Sequence, residues 1–541
     1  MATLPFASSM RSKRRAQKRV EVLITFSTWI WPPMERQRES PATFLALPSL
    51  RITASLILAT AGVAFGATLC ARGNYRDAAL SAMAALAAAV LIAAPISVQT
   101  VLFTWFATTP LLSFYVRFPT DRSILTYNRL VFALVVVMLL VKSGYPATAT
   151  EPAAVASHPW NASERASFSV ARFEIAWALL SALALASALA RSNNAAYAIR
   201  IAIDTFWLPL VAFHVAMNYL DWQKSGRHLL LGAIPLALFL FATGAFELAT
   251  GADLLAYKGS ELVREGERRV NGPFAADSSF AIICLILFLF LLAAPKLFRV
   301  RFDRTGKLIY ACAVAGAGIG ALLPVFRAVG LALVLSWIVL QWPTEHQNRQ
   351  AWFRAAARRG APLAVLLVTI IIAFVGWIAA TAPSLGGIRL TEPRSAYGRL
   401  ASWRGAAEIV FDNPIFGVAH ANYADYYDAT HYYAEEAPEE VLETKAGDSP
   451  HSNVLWIGAE LGLTGLSLYL AANVCLFLMG WRAVKRARDS RQRLAASCLL
   501  AIVVAYWIPG LTLASGYYSD LNLYFLFLAG ALNRFSNPRT P

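Results

Sequence analysis

The chain has 541 residues, of which 57% are hydrophobic and 15% charged. Soluble domains average about 45–50% apolar and about 25% charged residues, so this chain has too little polar surface for a water-soluble globule. Its net charge of +16 does not indicate nucleic acid, because the basic residues cluster in short segments between apolar stretches, as in the cytoplasmic loops of membrane proteins. The composition describes an all-α, polytopic integral membrane protein whose first partner is the lipid bilayer. Its apolar stretches of helical length must be helices, since lipid satisfies no backbone polar group.

In chain order, 1–50 reads as a basic cytoplasmic tail. Arg11, Lys13, Arg14, Arg15, Lys18 and Arg19 precede Val22–Trp31, a run of ten residues followed by Pro32 and Pro33 and too short to span. A later start at Met34 is an open alternative. The second region, 51–300, holds the spans 52–70, 78–94, 96–116, 128–142, 170–190, 200–220, 229–249 and 275–295. The third, 308–479, holds 308–323, 325–341, 362–380 and 452–479, with a large loop at 381–450. The fourth, 480–541, holds 494–510 and 520–533. A span needs roughly 17–25 residues, which gives about 12–14 helices.

Loop charge orients the second half. Lys296, Arg299, Arg301, Arg304 and Lys307 fall in one loop, Arg349, Arg354, Arg358 and Arg359 in a second, and Arg482, Lys485, Arg486, Arg488, Arg491 and Arg493 in a third. These are cytoplasmic by the positive-inside rule, so 250–274, 381–450 and 511–519 face outward. Residues 381–450 carry five Lys/Arg against eleven Asp/Glu, as an outer loop should. Loop 143–168 looks external by its low positive charge, whereas counting spans from a cytoplasmic N-terminus puts it inside, so one of the early spans is expected to be miscounted or re-entrant.

Several chemistries have no sequence support. There is no GxxxxGK[ST] phosphate loop and no HExxH. None of the thirteen Asp residues stands two positions from another, so no D-x-D holds a metal-bound nucleotide sugar. Gly316, Gly318 and Gly320 mimic half of a dinucleotide fingerprint but lie in a span, where small residues permit close helix contact. Cys70, Cys284, Cys312, Cys475 and Cys498 form no CxxC pair and read as core residues rather than disulfides or a metal site.

The informative stretch runs from Arg389 to Leu470. It contains Gly398-Arg399-Leu400-Ala401-Ser402-Trp403, then Asn413-Pro414-Ile415-Phe416-Gly417-Val418, then His451-Ser452-Asn453-Val454-Leu455 and Glu460-Leu461-Gly462-Leu463-Thr464-Gly465. This resembles the O-antigen ligase and O-antigen polymerase superfamily, which includes exopolysaccharide polymerases. Its pattern is G-R-x-x-x-W, N-P-x-x-G-x-G and H-N-x-x-L-x-x-x-x-E-x-G-x-x-G. Arg269-Val270-Asn271-Gly272-Pro273-Phe274 resembles the family's R-x-x-G-x-F, and Phe326-Arg327-Ala328 its S-R-G turn. The chain departs from the pattern at Ser452, Ala419 and Phe326.

The resemblance implies a membrane-bound glycosyltransferase of the bacterial inner membrane, with its active site on the periplasmic side. The donor would be a glycan on undecaprenyl diphosphate, and the acceptor a hydroxyl of another glycan or of lipid A core. No metal or other cofactor would take part. A diphosphate leaving group needs cationic neutralisation, which guanidinium groups provide bidentately, and an acceptor hydroxyl needs a base such as neutral histidine. On this reading His451 and Arg399 are catalytic, and Arg269, Arg399 and Arg327 bind the diphosphate. Structural roles compete: His451 as an interface cap, Arg399 as partner to acidic residues of its own loop, Arg269 as a headgroup anchor, Arg327 as a turn residue.

Glu460 reads as structural, since nine residues at about 100° each place it opposite His451 on a helix. Gly458, Gly462 and Gly465 should admit a neighbouring helix. His420 and His431 are reserve histidines, and Tyr423, Tyr426, Tyr427, Tyr432 and Tyr433 either line a sugar path or pack. Two other classes stay open: a transporter or flippase of lipid-linked oligosaccharide, and a non-catalytic subunit of a polysaccharide assembly complex. The loop 381–450 is expected to be external and partly helical, covering the donor site. A cysteine placed at Ala437 is predicted to react with an impermeant thiol reagent added outside the cell membrane. Labelling only after the membrane is opened would invert the topology.

Overall fold

In the computed structural model, residues 97–118, 125–143, 168–250, 263–264, 267–268, 270–274, 276–341, 394–430 and 449–536 are described. All belong to the contact unit that includes Ile96–Pro541. The tail 1–50, the expected spans 52–70, 78–94 and 362–380, and the positions Arg269, His431 and Ala437 lie outside the described residues.

The other eleven expected spans are helical. Helix α1 is Val98–Tyr115, α2 Tyr127–Ser143 and α3 Phe168–Arg191. Helix α4 (Ala195–Ala202) continues through a π-helical turn, Ile203–Trp207, into α5 (Leu208–Asn218). Then come α6 (Trp222–Thr250), α7 (Asp277–Leu297), α8 (Arg304–Leu322) and α9 (Arg327–Gln341). Two short helices of the large loop follow, α10 (Arg394–Asp412) and α11 (Tyr423–Thr430), and then α12 (Asn453–Arg486), α13 (Ser490–Gly510) and α14 (Ser519–Ser536). The only strands among the described residues are two-residue antiparallel pairs, Arg117–Phe118 with Leu125–Thr126 and Val263–Arg264 with Glu267–Arg268. Among the described residues, seven helical segments are long and apolar enough to cross a membrane, and Tyr127–Leu140 and Arg327–Gln341 are shorter apolar helices. The protein is an all-α, multi-pass membrane protein.

Helix α7 is the hub. It is apolar all round and buried almost throughout, as expected of a helix enclosed by others, and α6, α8, α9, α13 and α14 pack on it. The glycine triplet lets α8 approach closely: a Cβ at Gly316 would come within 3.1 Å of Phe241 of α6, and at Gly320 within 3.0 Å of Cys284 of α7. The expected close contact is therefore present. Outward-facing Leu179, Leu308, Leu331 and Val334 are exposed apolar side chains of the kind that face lipid. Of the cysteines expected in the core, Cys284 and Cys498 are buried, whereas Cys312 is exposed.

Contacts between turns define two ends of the bundle. At one, the Arg491 guanidinium of α13 donates to Leu297 O at the close of α7 and lies 5.1 Å over the Phe535 ring of α14. Two of the basic loops assigned to one membrane side thus meet. At the other end, Asn422 Oδ1 accepts from Ser192 Oγ at 3.1 Å and from Asn193 N at 3.2 Å, in the α3–α4 turn. Asn128 of α2 donates to Asp520 of α14 at 2.8 Å. Helix α2 therefore runs away from this second end and α3 arrives at it. Ser143 and Phe168, which flank 144–167, fall toward the basic end, in agreement with the span count rather than with that loop's low charge.

Candidate functional site

The second end is organised by a break in α12. Gly462 has φ 66° and ψ −169° inside the helix, a conformation open to glycine and costly for other residues. A continuous helix would bond Leu463 N to Ala459 O and Thr464 N to Glu460 O. Here Leu463 N donates instead to Pro414 O at 2.7 Å and Thr464 N to Ile415 O at 3.3 Å. Val418 N then donates to Ala459 O at 2.9 Å and Ala419 N to Glu460 O at 3.0 Å. The segment 414–419 is thus inserted into the helical ladder, and the two N–H and two C=O groups of these bonds are all paired.

This insertion explains both glycine motifs. A Cβ at Gly462 would overlap the backbone of Ile415 and Phe416, and one at Gly417 the backbone of Ala459 and Glu460. Gly417 also needs its positive φ of 63°. The close approach expected at the Gly458/Gly462/Gly465 stripe is made by a helix at one glycine and a loop at another: Gly458 faces Val410 of α10, Gly462 meets the inserted backbone, and Gly465 faces Leu461 of its own helix. Ala419 stands where the family pattern has its second glycine, and its φ is 83°. The position demands a glycine conformation that this chain fills with alanine.

Beneath the insertion lies a buried pair. Nδ1 of His420 is 2.9 Å from Glu460 Oε2, with the two side chains 0% and 1% exposed. His420 N donates to Ser187 Oγ of α3 at 3.2 Å, and Tyr423 N to Glu460 Oε1 at 3.4 Å. Nε2 of His420 has no hydrogen-bond partner among the described residues. The ring is walled by Phe206 of the π turn at 5.6 Å and Trp456 at 6.1 Å. Tyr517 packs on Trp456 at 4.5 Å; burial foremost, then the Glu460 carboxylate, raises its phenol well above its ordinary pKa, so it stays protonated at neutral pH.

Asn453 ties the start of α12 to the α13–α14 turn: its Oδ1 accepts from Gly516 N at 2.7 Å and its Nδ2 donates to Ser515 Oγ at 3.3 Å. Glu247 of α6 ties down the R-x-x-G-x-F turn, accepting from Asn271 N at 3.0 Å and Gly272 N at 2.8 Å. Gly272 has φ 56°, and Phe274 is buried.

The residues expected to act collect at this end. His451 is half-buried just before α12, with φ 45° and its N–H donating to Ser449 Oγ at 3.3 Å. Arg399 is half-buried in α10, and Arg327 is exposed as the first residue of α9. Arg269 lies outside the described residues, though its neighbours Val270–Gly272 form the turn held by Glu247. Tyr423 and Tyr427 pack in a small core with Ala406, Ile409, Val418 and Ala459, so they do not line a sugar path. Tyr426 packs against that core, while Tyr432 and Tyr433 lie outside the described residues. Among the described residues, no group of three His, Cys, Asp or Glu could hold a metal ion.

Backbone strain marks the same place. Among the described residues, five non-glycine residues have positive φ: Arg299, Val325, Ala419, Ala421 and His451. All but Arg299 belong to this end. Such conformations cost about 1–3 kcal/mol each and gather at functional sites; for β-branched Val325 at φ 58° the strain is pronounced.

Residues 320–470 match the O-antigen ligase family. The match meets the resemblance read from the motifs, and it contains the insertion, the His420–Glu460 pair, Arg327, Arg399 and His451. It supports a glycan-transferring, ligase-like function. No curated protein matches the chain. The feature that motif reading missed is the pairing of His420 with Glu460, forty residues apart in sequence; its only local signal is that each stands within three residues of a glycine with positive φ.

Two substitutions at the insertion are expected to act in opposite directions. Gly462→Ala should destabilise the protein by at least about 1–3 kcal/mol, because strain is joined by backbone overlap. Ala419→Gly should stabilise it by about 0.5–1 kcal/mol, since relief of roughly 1–2 kcal/mol of left-handed strain outweighs the entropic cost of glycine. Thermal unfolding of the detergent-purified variants measures both.

Proposed function

We propose that the protein transfers a glycan from undecaprenyl diphosphate to an acceptor hydroxyl at the outer face of the inner membrane, as a ligase or polymerase. The observation that carries this reading is the coincidence, inside the family-matched region, of a histidine in a strained backbone conformation with Arg327 and Arg399 at one end of the helical bundle. Strain kept at a polar, half-buried residue is the pattern of a side chain held for chemistry.

In this reading His451 takes the proton from the acceptor hydroxyl. The oxygen attacks the anomeric carbon, the bond from that carbon to the diphosphate oxygen breaks, and the electron pair leaves with the lipid diphosphate. Arg399, with Arg269 and Arg327, neutralises the leaving group. Bidentate guanidinium–phosphate pairing provides the charge that a metal would otherwise bring, and attraction at the edge of the low-dielectric slab strengthens it. His420 and Glu460 hold the loop that carries Tyr423 and Asn422 against α12 and α3. The insertion sets the angle at which α12 presents its first turn, and so the place of His451.

The test is glycan transfer by purified protein in vesicles with a lipid-diphosphate donor. His451→Ala should lower the rate by about 10²–10⁴-fold, the usual worth of a general base, with unchanged expression and melting. Arg399→Lys keeps the charge but loses the planar fork and should also be impaired. Transfer should persist in excess EDTA. Wild-type transfer by His451→Ala would remove it as the base, and activity lost with chelator and restored by Mg²⁺ would replace the arginine mechanism with a metal one.

A further inference from the structure

Beyond its break, helix α12 is long enough to cross a bilayer. The part from Leu463 to Arg486 spans about 36 Å at ~1.5 Å per residue, against a hydrocarbon core about 30 Å thick. Its last turn carries Lys485 and Arg486, and Lys485 Nζ lies 4.9 Å over the Trp481 ring, the aromatic and basic pairing of a headgroup interface. Counting back from Trp481, Leu463 is reached after a rise of about 27 Å. The Gly462 break therefore falls at the opposite edge of the hydrocarbon, and residues 453–461 stand beyond it, packed with α10 and α11.

A single apolar stripe follows that path. Leu463, Leu470, Val474, Phe477 and Trp481 are all exposed and fall within about 60° of one another around the helix. The stripe does not stop at the break. Leu463 and Thr464 are bonded through their N–H groups to Pro414 O and Ile415 O, which sets Ile415 and Phe416 beside Leu463. Ile415 is 62% exposed, Phe416 52% and, just before them, Phe411 82%. Three large apolar side chains left bare beside a lipid-facing stripe, in a loop whose charge is otherwise acidic, have one fitting surround.

We propose that Phe411, Ile415 and Phe416 form a wedge that enters the outer edge of the bilayer. The insertion of 414–419 into α12 then does two things: it seats the His420–Glu460 pair and fixes the depth of the loop end of the bundle at the membrane surface. The occupant is lipid acyl chain, contiguous with the lipid against α12. This rests on membrane embedding and not on glycan transfer, so failure of one leaves the other standing.

The experiment is nitroxide accessibility in vesicles of phosphatidylethanolamine and phosphatidylglycerol. Spin labels are placed one at a time through Phe411→Cys, Ile415→Cys and Phe416→Cys in a cysteine-depleted chain whose expression and melting match the unaltered protein. Val474→Cys serves as the lipid reference and Asp425→Cys as the aqueous one. The ratio of oxygen to nickel-chelate relaxation at the wedge positions should exceed that at position 425 several-fold and approach that at position 474. A ratio equal to that at position 425 would place the loop in water and overturn the wedge. Low accessibility to both reagents would show cover by a protein or a second copy and would equally overturn it. Three independent positions keep the test decisive if one variant fails to fold.

Discussion

Four backbone hydrogen bonds exchanged between α12 and the segment 414–419 hold the loop end of this protein together. A helix in or near a membrane cannot leave carbonyl and amide groups unpaired without a cost of several kcal/mol, so a break at Gly462 is tolerable only because the loop supplies partners for the two N–H and two C=O groups of these bonds. The consequences spread from there. Gly417 and Gly462 are required because the two backbones meet without room for a Cβ. His420 is carried into a buried position against Glu460, and the first turn of α12, with Asn453 bound to the α13–α14 turn, is set at a fixed angle to the span below it.

The same arrangement divides labour between stiffness and chemistry. The His420–Glu460 pair is shut away between Phe206, Trp456 and α3, where a hydrogen bond in low dielectric is strong. His451 and Arg399, by contrast, are half-buried. Fixed, buried polar contacts beneath and strained, half-buried side chains above are what the proposed transfer would need, since small displacements of a reacting group cost heavily in rate. The π turn Ile203–Trp207 joins this arrangement from the other half of the chain: it brings Phe206 to His420 and offers Asp204 to Arg129 in a two-point ion pair at 2.7 and 2.5 Å. π turns of this kind recur at functional sites.

The lipid edge completes the picture. An outer loop that packs only on itself would float above its membrane. A loop spliced into a spanning helix is bound to that helix's depth, and in the proposed reading its apolar tip lies at the boundary where a lipid-linked donor would present its diphosphate. Charge at such a boundary feels a lower effective dielectric than in water, which would favour arginine as the recognising group under that proposal.

Much of this was legible in the sequence, for a simple reason. Apolar stretches of spanning length report burial in lipid one residue at a time, so eleven expected spans emerge as helices with ends shifted by a few residues, and the glycines of α8 make the close contacts their size suggests. The motifs likewise marked the residues around the insertion, and Glu460, read as structural, is buried there against His420. Sequence by itself determined the fold class, the spans and the family resemblance. Only the tertiary structure decided that N-P-x-x-G and E-x-G are two halves of one joint, that Glu460 answers to His420, and that Tyr423 and Tyr427 are core. Those facts depend on backbone groups meeting across forty residues of chain, and hydrogen bonds between main-chain atoms leave no side-chain pattern to read beyond the glycines that make room for them.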